Sequence, residues 1–290
     1  ARVLAGGAEV MGRRYRLEEQ ELAAAEAAGS GRVPPTPRPA AGVILARDTA
    51  SGPEVLLLRR RADVGFAAGA YVFPGGTLDE EDSHPEWRDL MAPPPPEAVS
   101  GAADPGGPDE LTFVVAALRE TFEETGVLLA VDQPSDREAL ATARQALVDG
   151  RRSFLEIVRG LGIRLAADRL VLCARWVTPE SLSRRYDARF FLEESPSAIE
   201  VAAEPGELVE HIWIRPGAAL AEYFEYRMRM LFPTAKTLGW LEEGSSVAEW
   251  RRRFLDSKVE PILPRLRRIE GAVIPLMPGE PRYDERDGDG

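Results

Sequence analysis

The spacing of apolar positions changes along the chain and separates predicted strands from predicted helices. Residues 42–46 are a continuous apolar run, and a turn at Ser51–Gly52–Pro53 separates them from a second run at 54–59, which together predict a β-hairpin. Further strands are predicted at 169–177, 184–192 and 207–214. Helical spacing predicts helices at 111–125, within 135–160 with a break near Gly150, and at about 217–229, 233–243 and 246–257.

Proline and glycine mark the limits of the predicted domain. Four prolines between positions 34 and 39 predict an extended linker. Gly/Pro-rich stretches at 93–96 and 101–108 predict irregular or disordered chain within a longer insertion. The predicted organisation is therefore an N-terminal extension and linker at 1–40, a domain at 41–277 with an insertion at about 83–110 and a helical part at about 216–270, and a loose tail at 278–290.

Three carboxylates lie on one face of the helix predicted at 111–125. Glu120, Glu123 and Glu124 are spaced i, i+3 and i+4, and like charges at these offsets destabilise a helix unless a cation offsets them. Carboxylate oxygens are the ligands that Mg²⁺ and Mn²⁺ prefer. The alternative is a solvated acidic face. A glycine turn upstream, at Phe73–Pro74–Gly75–Gly76, favours a site, because glycine lets backbone approach a ligand closely.

The turn and the helix together resemble the Nudix box, Gly-x5-Glu-x7-Arg-Glu-U-x-Glu-Glu-x-Gly-U, in which U is a bulky apolar residue. Gly76 fits the first glycine, and the stretch from Arg119 to Val127 fits the second half. Asp82 replaces the first Glu, Thr121 replaces an apolar residue, and about 29 residues are inserted between Asp82 and Arg119. The resemblance implies an α/β/α sandwich on a mixed sheet, to which this chain adds an N-terminal extension and C-terminal helices. It also implies that the protein hydrolyses compounds in which a nucleoside diphosphate is linked to another group.

The resemblance also implies the roles of the acidic residues. Mg²⁺ or Mn²⁺ would be held by Glu120, Glu123 and Glu124 with the Gly75 carbonyl, and the catalytic residues would be Glu123, Glu124 and Arg119. Arg119 would orient the acids, with help from Asp82, whose side chain is one methylene shorter than Glu. Water activation would fall to Glu123 or to a loop acid. Independently of the resemblance, the acids just before the last strand are candidates for an extra metal ligand or a general base, the alternative being surface acids; they are Glu200, Glu204, Glu207 and Glu210.

Several basic residues are candidates for substrate binding beside the backbone of Gly76. Arg60 precedes the glycine turn by one loop and is a candidate for phosphate contact, the alternative being a solvated strand end. In the segment at 184–192, Arg185 or Arg189 are candidates for phosphate contact and Tyr186 for a base or sugar. The alternative is a strand with charged edge residues.

Within the family, the chain resembles the long-insertion subgroup that includes the peroxisomal coenzyme A diphosphatase. A coenzyme A signature upstream of the box is partly matched by residues Leu56, Leu57, Arg60, Gly69 and 73–76, whereas Leu58, Arg61 and Gly65 depart from it. Coenzyme A or acyl-coenzyme A is therefore the leading substrate class. The alternatives are another Nudix substrate (ADP-ribose, NADH or a nucleotide sugar) and a catalytically silent ligand sensor, which the intact acidic set disfavours.

Composition and charge restrict the partners. The formal net charge of −12 argues against a nucleic-acid-binding groove, because phosphate contacts need a basic surface. No apolar run approaches the ~20 residues of a membrane span. A single cysteine, Cys173, excludes an internal disulfide and is typical of the cytoplasm, where we expect this protein. We expect a small-molecule diphosphate substrate, and we consider three roles for the insertion: a lid, a homodimer contact or disordered filler.

Overall fold

The computed structural model of the protein describes residues 9–10, 13–15, 17, 33–63, 67–129, 131, 136–195, 208–269 and 272–285. The strands of this part of the chain are β1 (Glu9–Val10), β2 (Arg13–Arg14), β3 (Arg38–Thr49), β4 (Gly52–Arg60), β5 (Tyr71–Val72), β6 (Gly75–Thr77), β7 (Met91–Ala92), β8 (Leu165–Ala166), β9 (Val171–Val177), β10 (Tyr186–Glu194), β11 (Leu208–Ile214), β12 (Arg265–Ile269) and β13 (Ala272–Leu276). The α-helices are α1 (Pro96–Val99), α2 (Glu110–Thr125), α3 (Arg137–Val148), α4 (Phe154–Leu161), α5 (Pro216–Phe224), α6 (Phe232–Glu242) and α7 (Val247–Leu255).

A mixed sheet of seven strands forms the centre of the fold. Its main path runs β11-β4-β3-β10-β9, with β5 paired to β4 and β6 paired to β3. Strands β3 and β10 are parallel, and the other neighbours are antiparallel. The hairpin predicted at 42–59 is β3 and β4, and β3 begins at Arg38, inside the stretch that we assigned to the linker.

The sheet is covered by helices on both faces. Successive residues of β3 point to opposite faces: Val43 and Leu45 pack with Phe113 and Phe122 of α2, whereas Ile44 and Ala46 pack with the C-terminal helices α5 to α7. Burial on both faces is the reason that the strand reads as an unbroken apolar run. The predicted α/β/α sandwich on a mixed sheet is confirmed. None of the helices in the described ranges is long and apolar enough to cross a lipid bilayer.

Helix α2, which carries the acidic residues, has well-defined ends. The side chain of Asp109 accepts a hydrogen bond from Thr112 N–H at the N-terminus, and Gly126 ends the helix in the left-handed conformation, with φ of 75°. From α3, Arg144 donates to the backbone carbonyls of Glu123 and Glu124 at 2.8 Å each. These three contacts satisfy groups that a helix leaves unpaired at its ends, and they hold the last turn in place.

The insertion folds onto the domain, and the stretches at 93–96 and 101–108, which we predicted to be irregular or disordered, are largely irregular chain that is anchored by specific contacts. Trp87 is buried, packs on Phe154 of α4 and donates its indole N–H to Glu81 O at 2.9 Å. Ala102 is also buried, and its carbonyl oxygen accepts a hydrogen bond from Arg189 at 2.8 Å. These contacts hold the insertion against the domain despite its many glycine and proline residues.

Segments at the two ends of the chain pack on the face opposite α2. Tyr15 and Leu17 lie within the N-terminal extension, yet both are buried against the C-terminal helices. The helices predicted at about 217–229, 233–243 and 246–257 are confirmed as α5 to α7, with slightly different ends. The hairpin β12–β13, which we did not predict, packs on the same face.

Candidate functional site

The glycine turn and the acidic helix meet above β3. Gly75 N–H donates to Glu124 Oε2 at 2.9 Å. A Cβ atom on Gly76 would lie 2.5 Å from Glu120 Cδ, and a Cβ atom on Gly42, on the strand below, would lie 2.3 Å from Pro74 O. Only glycine permits approaches this close. The local sequence therefore brings the carboxylates of α2 directly against the backbone of the turn.

Arg119 is held by a carboxylate on the other side of the insertion. Asp82 Oδ1 accepts from Arg119 Nε at 2.9 Å, and Asp82 Oδ2 accepts from Nη2 at 2.9 Å. Asp82 lies in a short 3-10 turn, Glu80–Ser83, and its Oδ2 also accepts from Asp79 N–H at 2.7 Å. This turn brings the carboxylate close enough to Arg119, so the missing methylene relative to Glu does not prevent a bidentate pair.

The other N–H groups of Arg119 contact two acids of α2 and the backbone of Thr77. Its Nη1 donates to Glu120 Oε1 at 2.8 Å and lies 3.6 Å from Glu123 Oε2, while Nη2 also donates to Thr77 O at 2.9 Å. One guanidinium group thus connects Asp82, the strand after the glycine turn and the acidic face of α2.

Burial and like charge make two of the acids difficult to ionise. Burial, with the neighbouring charge of Glu123, raises the pKa of Glu120 to about 7 despite the opposing effect of Arg119. Burial, followed by the charge of Glu120, raises the pKa of Glu124 well above its usual value. Glu123 is the most accessible of the three, with 35% of its side chain exposed. A nearby cation would favour the ionised form of the buried pair.

The donor set fits a hard divalent cation. Three carboxylates share one face of α2, and two of them have raised pKa values, so a cation there would displace protons and offset their repulsion. Within the described ranges, no three acidic, histidine or cysteine side chains already stand in a ligand arrangement. Hydrogen bonds account for this, because Glu120 is turned to Arg119 and Glu124 to Gly75 N–H.

The three acids line a pocket of about 690 Å³ whose surface is mainly apolar. Strands β9 and β10, the start of α6 and the hairpin β12–β13 supply much of this surface, and its apolar lining includes Trp176, Leu182, Phe190, Phe232, Pro264 and Pro275. We call this apolar part of the lining the apolar chamber. A pocket that combines acidic residues with such a chamber fits a ligand with a phosphate group and a long, weakly polar arm. Much of this wall comes from the C-terminal part, which our sequence reasoning did not connect to the site.

The pocket brings together most of the residues named from sequence. These are Arg60, Gly75, Gly76, Glu120, Glu123, Glu124 and Tyr186. Arg119 supports the acids from outside the lining of this pocket. Of the acids suggested before the last strand, Glu200, Glu204 and Glu207 lie outside the described residues. Glu210 is exposed, binds Arg59 and Tyr71, and does not line the pocket.

Arg185 and Arg189 do not lie in the pocket, and the structure corrects this prediction. Both are buried. Arg185 donates to the carbonyls of Thr178 and Pro35, and Arg189 donates to the carbonyls of Ala102 and Asp187. Residues of β10 alternate between faces, so a strand that turns Tyr186 into the pocket turns Arg189 away from it.

Two basic residues of the pocket lining were missed. Arg184 lies two positions before Tyr186, and Arg38 pairs with Tyr186 across the parallel strands β3 and β10. Alternation about Tyr186 favours Arg184 over Arg185 from the sequence alone. No comparable local signal marks Arg38, because its position depends on which strand β3 adopts as its neighbour.

Comparison with known proteins points to one family. The family model of the NUDT19 Nudix domain matches residues 101–241. Acyl-coenzyme A diphosphatase NUDT19 of Homo sapiens is 28% identical over 279 residues, covering 81% of this chain and 74% of the relative. Putative nudix hydrolase 7 of Caenorhabditis elegans is 30% identical over 225 residues, covering 76% and 64%.

A solved structure shows the same fold. The NUDIX hydrolase from Alicyclobacillus acidocaldarius superposes with a TM-score of 0.59 at 26% identity, covering 73% of this chain and 98% of that protein. Together with the Arg119–Asp82 pair and the glycine turn, these matches show that the chain belongs to the Nudix family of diphosphate hydrolases.

Proposed function

We propose that this protein hydrolyses the diphosphate bond of coenzyme A or acyl-coenzyme A with the aid of Mg²⁺ or Mn²⁺. The observation that carries the proposal is that the three acids and Arg60 line the same pocket as a large apolar surface. Coenzyme A thioesters have the matching composition, a diphosphate joined to a long arm that ends in an acyl chain. The substrate named for the human relative supports the same choice.

The partial coenzyme A signature gains support from where its residues lie. Arg60, Phe73, Gly75 and Gly76 line the pocket. Leu56 and Leu57 are buried strand residues that contribute to the two core clusters instead. Gly69 and Pro74, which the signature also retains, do not line the pocket, so the retained residues divide between the pocket lining and the structure that supports it.

Each residue of the site has a defined task in this proposal. Glu120, Glu123 and Glu124 would hold the cation, which when bound offsets diphosphate charge and lowers the pKa of a bound water. Arg119 keeps Glu120 in position, and its pairing with Asp82 keeps Arg119 itself from turning toward the substrate. Glu123, the most accessible acid, accepts the proton of the attacking water. Arg60 binds a diphosphate oxygen.

The apolar chamber holds the arm of the substrate away from water. Trp176 stacks on Trp240 of α6 with ring centroids 5.4 Å apart, which fixes the chamber wall as a rigid surface. Burial of a longer acyl chain against this wall contributes about 0.8 kcal/mol per CH₂ group. We therefore expect kcat/KM to rise with acyl length until the chamber is filled.

The experiment is product release from a substrate panel in Mg²⁺ or Mn²⁺. The panel contains coenzyme A, acyl-coenzymes A of increasing chain length, ADP-ribose, NADH and a nucleotide sugar. Selective formation of 3′,5′-ADP and a phosphopantetheine supports the proposal. Preference for another compound retains the family and rejects this substrate class, and no turnover with metal binding retained favours a ligand sensor.

A further inference from the structure

Two arginines in the pocket lining have no side-chain partner among the residues that the structure describes. Arg38 and Arg184 are both exposed at the pocket, and neither makes a hydrogen bond or an ion pair with its side chain to another described residue. By contrast, the buried Arg175 of β9 and Arg189 of β10 pair with Asp187 and Asp104. Within the described residues, carboxylates therefore compensate these two buried guanidinium groups but not the two at the pocket.

The sheet brings these two arginines together. Arg38 and Tyr186 are register partners on parallel strands, and Arg38 N–H donates to Arg185 O at 2.9 Å. Arg184 directly precedes this pairing. The next residues on the pocket face of the two strands, Ala40 and Ala188, are small and also line the pocket, so open space continues from the arginines toward the acids.

Strand geometry separates this basic pair from the diphosphate end. Four residue steps along β3 lead from Arg38 to Gly42, which pairs with Gly75 beside Glu124, and they span roughly 13 Å. Arginine side chains extend across part of that interval. The two groups are therefore close enough for one ligand to touch both, and their backbones are several residues apart along the strand.

We propose that Arg38 and Arg184 bind a phosphate monoester that the substrate carries in addition to its diphosphate. Guanidinium groups bind phosphate oxygens through paired, charge-assisted hydrogen bonds. A net charge of −12 makes the protein as a whole unattractive to a polyanion, so local cations are needed at each phosphate. This inference rests on the proposed function and narrows it, since it selects nucleotides phosphorylated on the ribose over those that carry the diphosphate alone.

The kinetic test compares coenzyme A with dephospho-coenzyme A, which lacks the ribose 3′-phosphate. Wild-type protein is expected to favour coenzyme A by at least about tenfold in kcat/KM, mainly through KM, because this phosphate is remote from the bond that breaks. The double variant Arg38→Ala/Arg184→Ala loses this preference and leaves hydrolysis of dephospho-coenzyme A unchanged. The double variant Arg38→Lys/Arg184→Lys is expected to retain part of the preference for coenzyme A, because lysine keeps the positive charge. Arg137→Ala removes an exposed arginine outside the pocket and is expected to behave as wild type.

A binding measurement separates this inference from the proposed function. Titration calorimetry with 3′,5′-ADP and 5′-AMP requires no turnover, and we expect the wild type to bind 3′,5′-ADP at least about tenfold more tightly. That difference disappears in the double alanine variant. If coenzyme A is not hydrolysed but the binding difference holds and depends on both arginines, the subsite stands and the proposed reaction fails. Equal binding of the two nucleotides, or a preference that survives in the double variant, overturns the subsite.

Discussion

Replacing Asp82 with Asn tests the pairing that holds the site together. Both carboxylate oxygens act as acceptors: Oδ1 for Arg119 Nε, and Oδ2 for Arg119 Nη2 and Asp79 N–H. An amide has one oxygen and one NH₂ group, so either orientation of Asn places a donor against a donor. The side chain of Asp82 is 2% exposed and that of Arg119 is 12% exposed, so water cannot replace the lost bonds.

The expected loss of stability follows from this burial. Breaking a buried ion pair by changing one partner costs about 3–5 kcal/mol. Arg119 keeps its bonds to Thr77 O and Glu120, so we expect a value near the lower limit, about 3 kcal/mol, out of the 5–15 kcal/mol typical of a folded protein. With an m-value of about 3 kcal/mol/M, the urea midpoint would fall by about 1 M.

The assay is urea unfolding followed by tryptophan fluorescence, and the matched control is Asp63→Asn. Asp63 also binds an arginine through both oxygens, Arg61, but the pair is exposed. Exposed pairs add little to stability, so the midpoint of the control is expected to equal that of the wild type. If Asp82→Asn unfolds at the wild-type midpoint with an unchanged m-value, burial of this pair does not have the energetic role argued here.

Three further predictions concern single positions. Gly76→Ala places a Cβ atom 2.5 Å from Glu120 Cδ, so we expect kcat/KM to fall by about 100-fold with little change in the unfolding midpoint. In Gly42→Ala the new Cβ atom would clash with the backbone oxygen of Pro74 instead, so the free energy of unfolding should fall by more than about 2 kcal/mol. Glu124→Gln should abolish turnover without unfolding the protein, because Gln resembles the neutral acid that burial favours; normal turnover at saturating Mg²⁺ would remove Glu124 from the metal site. Burial raises the pKa of Glu193 from 4.5 to about 8, so the folded state favours the neutral acid. Wild-type stability, measured by urea unfolding, should therefore fall as pH rises from about 4.5 to about 8. Glu193→Gln should flatten this dependence, and the same change of stability with pH in both proteins would contradict the prediction.

Local sequence was sufficient to predict the chemical end of the site. The i, i+3, i+4 spacing of Glu120, Glu123 and Glu124 is a property of one helix, and its ends at Asp109 and Gly126 are set by residues next to it. The glycine turn is equally local, because close approach of backbone depends on the absence of a Cβ atom at those positions. Helix and strand types followed from periodicity, including the doubly buried strand β3.

Only the tertiary structure decided which side of the sheet lines the pocket. Alternation separates the faces of neighbouring residues such as Arg184 and Arg185, but the pairing of β10 with β3 brings Arg38 to the same pocket lining as Arg184. The apolar chamber likewise joins Trp176 to Phe232 of the C-terminal part. Residue spacing over a short stretch predicts helix faces and turns. A pocket wall forms from strands and helices that are far apart in the chain, so no single stretch of sequence predicts it.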